Sequence, residues 1–182
     1  MSLFDRDTIL TELRADRLML LGAGYLPKVT LSDDYLWGRV VAAEADMARR
    51  LRVFLEPTAV FSGDPTQDEI DALSGGPYVV EPAYDYQPEL FSSAWGALIT
   101  RQTPIIGVDS MTFRFPVPLT SEWVVPPEWI RFDGKTGMVQ LVPIGMAMGS
   151  SLSLFLMRLI GGGTMVPQML RVRYRAGLQN AR

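Results

Sequence analysis

The hydrophobic period of this chain changes at Pro57. Before it, Leu36, Val40, Ala43, Met47, Leu51 and Phe54 recur at steps of three or four, the spacing that lines one face of an α-helix. After it, Met111, Phe113 and Phe115 alternate with Thr112 and Arg114, and Leu170, Val172 and Tyr174 alternate with Arg171, Arg173 and Arg175. That is the two-residue period of a half-buried strand. A helical part followed by alternating runs and tight turns reads as an α+β chain. The expected layout is one domain over 1–182: helices over 7–56 packed with an antiparallel sheet and hairpin over 95–176, and long loops between.

Local signals place the elements. A first helix is expected from Asp7 to Leu21, ended by Gly22 and Gly24. A second, of roughly six turns at 3.6 residues per turn, starts at Ser32, an N-cap followed by Asp33 and Asp34 in the positive first turn. Arg49, Arg50 and Arg52 lie near its end, and Pro57 stops it. Residues 57–94 read as a loop-rich excursion with one short helix from Thr66 to Leu73. Within it, "PYVVEPAYDYQPELF" is too rich in proline for a long helix and reads as extended, solvated chain. Strands are expected over Ala97–Thr100 and Ile105–Phe115. A hairpin pairs Trp129–Phe132 with Met138–Val142 across Asp133–Gly137, where Gly134 and Gly137 supply positive φ.

Composition narrows the chemistry. The 182 residues contain no histidine and no cysteine. Disulfides, thiol nucleophiles, thiolate metal sites and histidine general bases are therefore excluded. Lys28 and Lys135 are the only lysines, which leaves little for a serine–lysine pair. No catalytic, cofactor-binding or metal-ligating residue is expected. "GGGT" at Gly161–Thr164 lacks the Lys-Ser/Thr of a phosphate loop. Asp64, Asp68, Glu69 and Asp71 miss calcium-loop spacing. Arg101, Asp109 and Arg114 read as structural ion-pairing residues. The amino terminus carries acids where a signal peptide would carry bases. The run Ile144–Ile160 is too short and too broken by glycine, serine and Arg158 for a membrane span.

Two features point to partners. Every acid lies at or before Asp133, where twenty acids face eleven bases. Six bases and no acid follow it. Either the two parts neutralise each other or the basic part meets an acidic partner. The sharpest basic feature is the stripe Arg171, Arg173 and Arg175, with Cα atoms about 6.8 Å apart on one strand face. The second feature is the apolar loop 144–166, with Met146, Met148, Leu154, Phe155 and Met157. Flexible methionines suit a surface that conforms to another protein. These eight residues are the candidate partner interface.

The order "LSDDYLWGRVVAAEADMARRLRVFLEPT", "TRQTPIIGVDSMTFRF", "PPEWIRFDGKTGMVQLVP", "LRVRYRAG" resembles the head–tail connector proteins of tailed bacteriophages. That family follows its helices with a P-hydrophobic-x-x-V-x-S strand, a hairpin with a G-x-hydrophobic return, and a V-x-Y-x-A-G strand. Here these fall on Pro104–Ser110, Gly137–Leu141 and Val172–Gly177. The resemblance spans most of residues 32–178. It implies a non-enzymatic structural virion protein of the neck: a dodecameric ring of this chain, with no cofactor and no membrane contact. The implied partners are the portal protein above, a tail-side connector or terminator protein below, and DNA passing unread through the lumen. The implied location is the virion, and the host cytoplasm during assembly. A tail or baseplate adaptor, or a non-viral oligomeric scaffolding domain, are the alternatives.

Overall fold

A computed structural model describes residues 4–15, 31–89, 96–114, 122–142 and 165–179. The chain divides between Glu56 and Pro57 into two compact units, where a single domain was expected. The division falls where the hydrophobic period changes.

The first unit holds α1 (Arg6–Ala15) and α2 (Asp33–Leu51). The carboxy-terminal end expected for the first helix lies outside the described residues. Ser32 caps α2 as its sequence implies, its hydroxyl accepting the Tyr35 amide at 3.3 Å. The helix ends sooner than the apolar stripe, at Leu51. Arg52 takes the left-handed conformation (φ 54°) and returns its amide to the Ala48 carbonyl. Arg6 pairs with Asp34 and Arg14 with Asp33, joining α1 to the first turn of α2. Leu10 and Leu36 are the buried apolar residues of the two helices.

The second unit is built around its last strand. Its elements are β1 (Thr58–Ser62), α3 (Gln67–Ala72), β2 (Tyr78–Glu81), β3 (Tyr84–Tyr86), β4 (Leu98–Ile99), β5 (Ile105–Arg114), β6 (Glu122–Val124), β7 (Ile130–Asp133), β8 (Met138–Leu141) and β9 (Val166–Ala176). A six-stranded sheet runs β2-β1-β9-β5-β6, with β3 also on β9. A three-stranded sheet runs β4-β8-β7. On one edge β9 pairs antiparallel with β5 from Ala176 to Leu170. On the other edge it pairs with β1 through Arg173–Ala176 and with β3 through Val166–Leu170. Leu170, Val172 and Tyr174 are buried with Met111, Phe113 and Val60, the inward face that the alternation implies.

Of the segment expected to be loop-rich, 57–94, the described residues 57–89 are not. It supplies three strands, and β1 and β2 form a parallel pair joined by α3. The prolines punctuate strands here instead of forbidding them. "YVVE" lies between Pro77 and Pro82, and "YDY" lies between Pro82 and Pro88. Tyr84 and Tyr86 point into the core, with Asp85 exposed between them. Thr66 and Glu69 close a reciprocal capping box on α3.

The hairpin stands where the sequence places it, but its glycines act differently. Gly137 has the expected positive φ of 73°. Gly134 is needed for close approach: an added Cβ would lie 2.6 Å from the Ile105 carbonyl oxygen. At Gly137 an added Cβ would meet Thr103 and Thr100 at 2.5 and 2.7 Å. Alanine at either site is expected to cost about 1–3 kcal/mol, with Gly137→Ala the worse because it adds backbone strain. Urea unfolding checks this; unchanged midpoints in both variants would mean that the turn is not held against its neighbours.

Candidate functional site

The segment Thr100–Ile105 links the two sheets, and the backbone contacts of several distant segments converge on it. The Thr100 amide donates to the Gly137 carbonyl at 2.9 Å. The Ile105 amide donates to the Gly134 carbonyl at 2.7 Å, and the Gly177 amide to the Pro104 carbonyl at 2.9 Å. Thr100 also donates its hydroxyl hydrogen toward the Gly137 carbonyl. Two phenols complete the corner: the Arg101 amide donates to Tyr84 Oη at 3.0 Å, and the Gln102 amide to Tyr174 Oη at 3.4 Å.

Both phenols have one anchor. Tyr84 and Tyr174 donate to Glu81 Oε1, the latter at 3.1 Å. Glu81 is 6% exposed, and its Oε2 has no hydrogen-bond partner. The Arg101 guanidinium lies 4.1 Å from the Tyr84 ring centroid and 3.6 Å from Glu81 Oε1. A relay thus runs from the carboxylate through two hydroxyls to two backbone amides. Burial, and then the hydrogen bond to Glu81, push the Tyr84 hydroxyl up to about 12. Burial, then Tyr84, push Tyr174 up as well. Both phenols therefore stay protonated and keep donating. A carboxylate sealed in this way orients both phenols and fixes the corner.

The arginine stripe lies on the other face of β9, and its members differ. Arg173 is 11% exposed at its side chain. Its Nε donates to Glu69 Oε1 at 2.8 Å, its Nη1 to the Ser62 carbonyl at 2.7 Å, and its guanidinium sits 5.2 Å from the Phe61 ring centroid. Burial pushes the Glu69 carboxyl up, but Arg173 and the Thr66 cap outweigh it and hold it below the ordinary range. Arg171 and Arg114 share Glu122 at 3.8 and 3.7 Å, and half-exposed Arg175 meets Asp109 at 3.3 Å. Acids from before Asp133 thus neutralise bases from after it within one chain. Arg173 is a packing residue here, not a free contact. Arg101, Asp109 and Arg114 each find a separate partner and form no common site.

Met146, Met148, Leu154, Phe155 and Met157, and the "GGGT" stretch, lie outside the described residues. Among the described residues, no three His, Cys, Asp or Glu side chains are grouped to hold a metal, and no helix is long and apolar enough to cross a membrane. The sequence reading missed Glu81 and Tyr84; the alternation of Tyr84 and Tyr86 about Asp85 is the signal that could have found the tyrosines. No protein-family model matches this chain, and no curated protein matches it.

A group whose folded pKa is raised contributes stability that is complete below its unfolded value and fades as pH rises through the folded one. For Tyr84 that window opens at its ordinary 10.0 and closes near about 12. Urea midpoints are therefore expected to fall as pH rises from 10.0 to about 12, and to fall less in Tyr84→Phe. An equal fall in both proteins would remove the relay from the explanation. Arg173→Met takes the guanidinium donors from Glu69 and the Ser62 carbonyl and is expected to cost about 2 kcal/mol. Arg175→Gln, at an exposed pair, should cost under about 1 kcal/mol. Equal losses in chemical unfolding would contradict the division between buried and exposed arginines.

Proposed function

We propose that the chain is a head–tail adaptor of a tailed bacteriophage, a structural protein that forms a ring beneath the portal and joins the head to the tail. One observation carries this reading. The three segments that resemble the connector family meet at one corner: Pro104–Ser110 begins β5, Gly137–Leu141 is the hairpin return, and Val172–Gly177 ends β9. Hydrogen bonds through Gly137, Pro104, Tyr174 and Gly177 tie them together. Motifs that are weak apart thus describe one mutually dependent piece of structure.

The mechanism is geometric. The second unit supplies a stiff body whose sheets are locked at Thr100–Ile105, and the apolar run 144–166 supplies contact with neighbouring chains. Exposed acids such as Asp64, Asp68 and Asp71 would repel DNA in a lumen and let it pass without being gripped.

Purified chain, alone and mixed with its cognate portal, is expected to give closed rings by electron microscopy and a matching mass by light scattering. Deleting Gly149–Gly161 should leave a folded protein that no longer closes rings, because burial of that run between subunits is worth roughly 25 cal/mol per Å². A chain that neither forms rings nor binds a portal overturns the reading. A deletion that unfolds the subunit would assign the run to its own core.

A further inference from the structure

Asp133 and Gly134 form the one Asp-Gly pair of the sequence, and such a bond can rearrange. The backbone nitrogen of the glycine attacks the side-chain carboxyl carbon of the aspartate. The amide hydrogen and the carboxyl hydroxyl leave as water, and a five-membered imide closes. Water then adds back. Addition at the backbone carbonyl leaves the chain running through the side-chain carbon, as isoaspartate, with one more carbon in the backbone and no net change of mass. Glycine favours the attack because no Cβ shields its nitrogen. The fold itself demands that glycine: an added Cβ at Gly134 would lie 2.6 Å from the Ile105 carbonyl oxygen. The close approach that fixes the corner therefore also leaves the bond unshielded.

We propose that Asp133–Gly134 is a site of spontaneous isoaspartate formation, which the closed hairpin suppresses. Asp133 is the last residue of β7, paired with Met138, and its carbonyl accepts the Gly137 amide at 3.0 Å. The peptide is thus held from swinging its nitrogen onto the carboxyl carbon. The carboxylate is pinned through both oxygens: Oδ1 accepts the Lys135 amide at 3.0 Å and Oδ2 the Thr136 hydroxyl at 2.7 Å. These donors, Thr136 first, hold the carboxyl below the ordinary range, so it is ionised near neutral pH and resists attack. Opening of the turn releases all of these restraints together. A rearranged bond cannot restore the corner. Its extra backbone carbon displaces the Gly134 carbonyl, which accepts the Ile105 amide at 2.7 Å, from the position the paired strands require. This inference does not rest on the adaptor reading.

Ageing the full chain near neutral pH, folded and in urea, tests it. Isoaspartate is measured by methyltransferase labelling and assigned to residue 133 by electron-transfer fragmentation of its peptide. Wild type is expected to isomerise slowly when folded and much faster in urea. Thr136→Val removes the donor to Oδ2 and should raise the folded rate about fivefold, the equivalent of one lost hydrogen bond. Thr136→Ser keeps that donor and should match wild type. Equal rates in folded and urea-treated wild type, no isoaspartate in either, or a folded Thr136→Val no faster than Thr136→Ser would each overturn the proposal. Far-ultraviolet circular dichroism shows whether Thr136→Val is folded; if it is not, the two wild-type rates decide.

Discussion

Strand β9 is the element on which the second unit depends. It is paired on both edges, with β5 along one side from Leu170 to Ala176 and β1 and β3 sharing the other. Its inward residues are the middle of the core, and its outward arginines draw acids from α3, β5 and β6. Because β9 closes the described chain, every earlier strand of the larger sheet except the outer pair β2 and β6 waits for it to complete its pairing. Such a topology is dominated by contacts distant in sequence, which makes folding slow compared with a helical bundle.

The corner at Thr100–Ile105 is where β9 reaches the smaller sheet. Its geometry is over-determined: two glycines admit the hairpin, two phenols hold the amides, and one carboxylate orients the phenols. The unpartnered oxygen of Glu81 leaves a cost of about 1–3 kcal/mol unrecovered, and the fold carries it. What the network gains is position. A corner fixed by directional bonds cannot slide as one fixed by apolar packing alone could.

The legible parts of the sequence were those with long, strict periods. The α+β class, the cap at Ser32, the start of α2, the hairpin over Asp133–Gly137 and the inward set Leu170, Val172 and Tyr174 all follow from local pattern. The strands β1 to β3 did not, because each spans three to five residues between prolines and turns, too short for a period to register. Glu81 was unreadable for a related reason. Its burial depends on Tyr84 and Tyr174, the latter 93 residues away, and no local rule anticipates a partner at that distance. The arginine stripe was legible as a face but not as three different environments, since Glu69, Asp109 and Glu122 arrive from separate elements.

Strand β2 forms one border of the larger sheet, and its free side would ordinarily invite another chain to extend the ladder. Pro77 and Pro82 hold it to four residues, and its last side chain, Glu81, is turned inward. An incoming strand would find too short a template to grow upon. The edge is in this way kept from seeding fibres, and the carboxylate that steadies the interior also guards the rim.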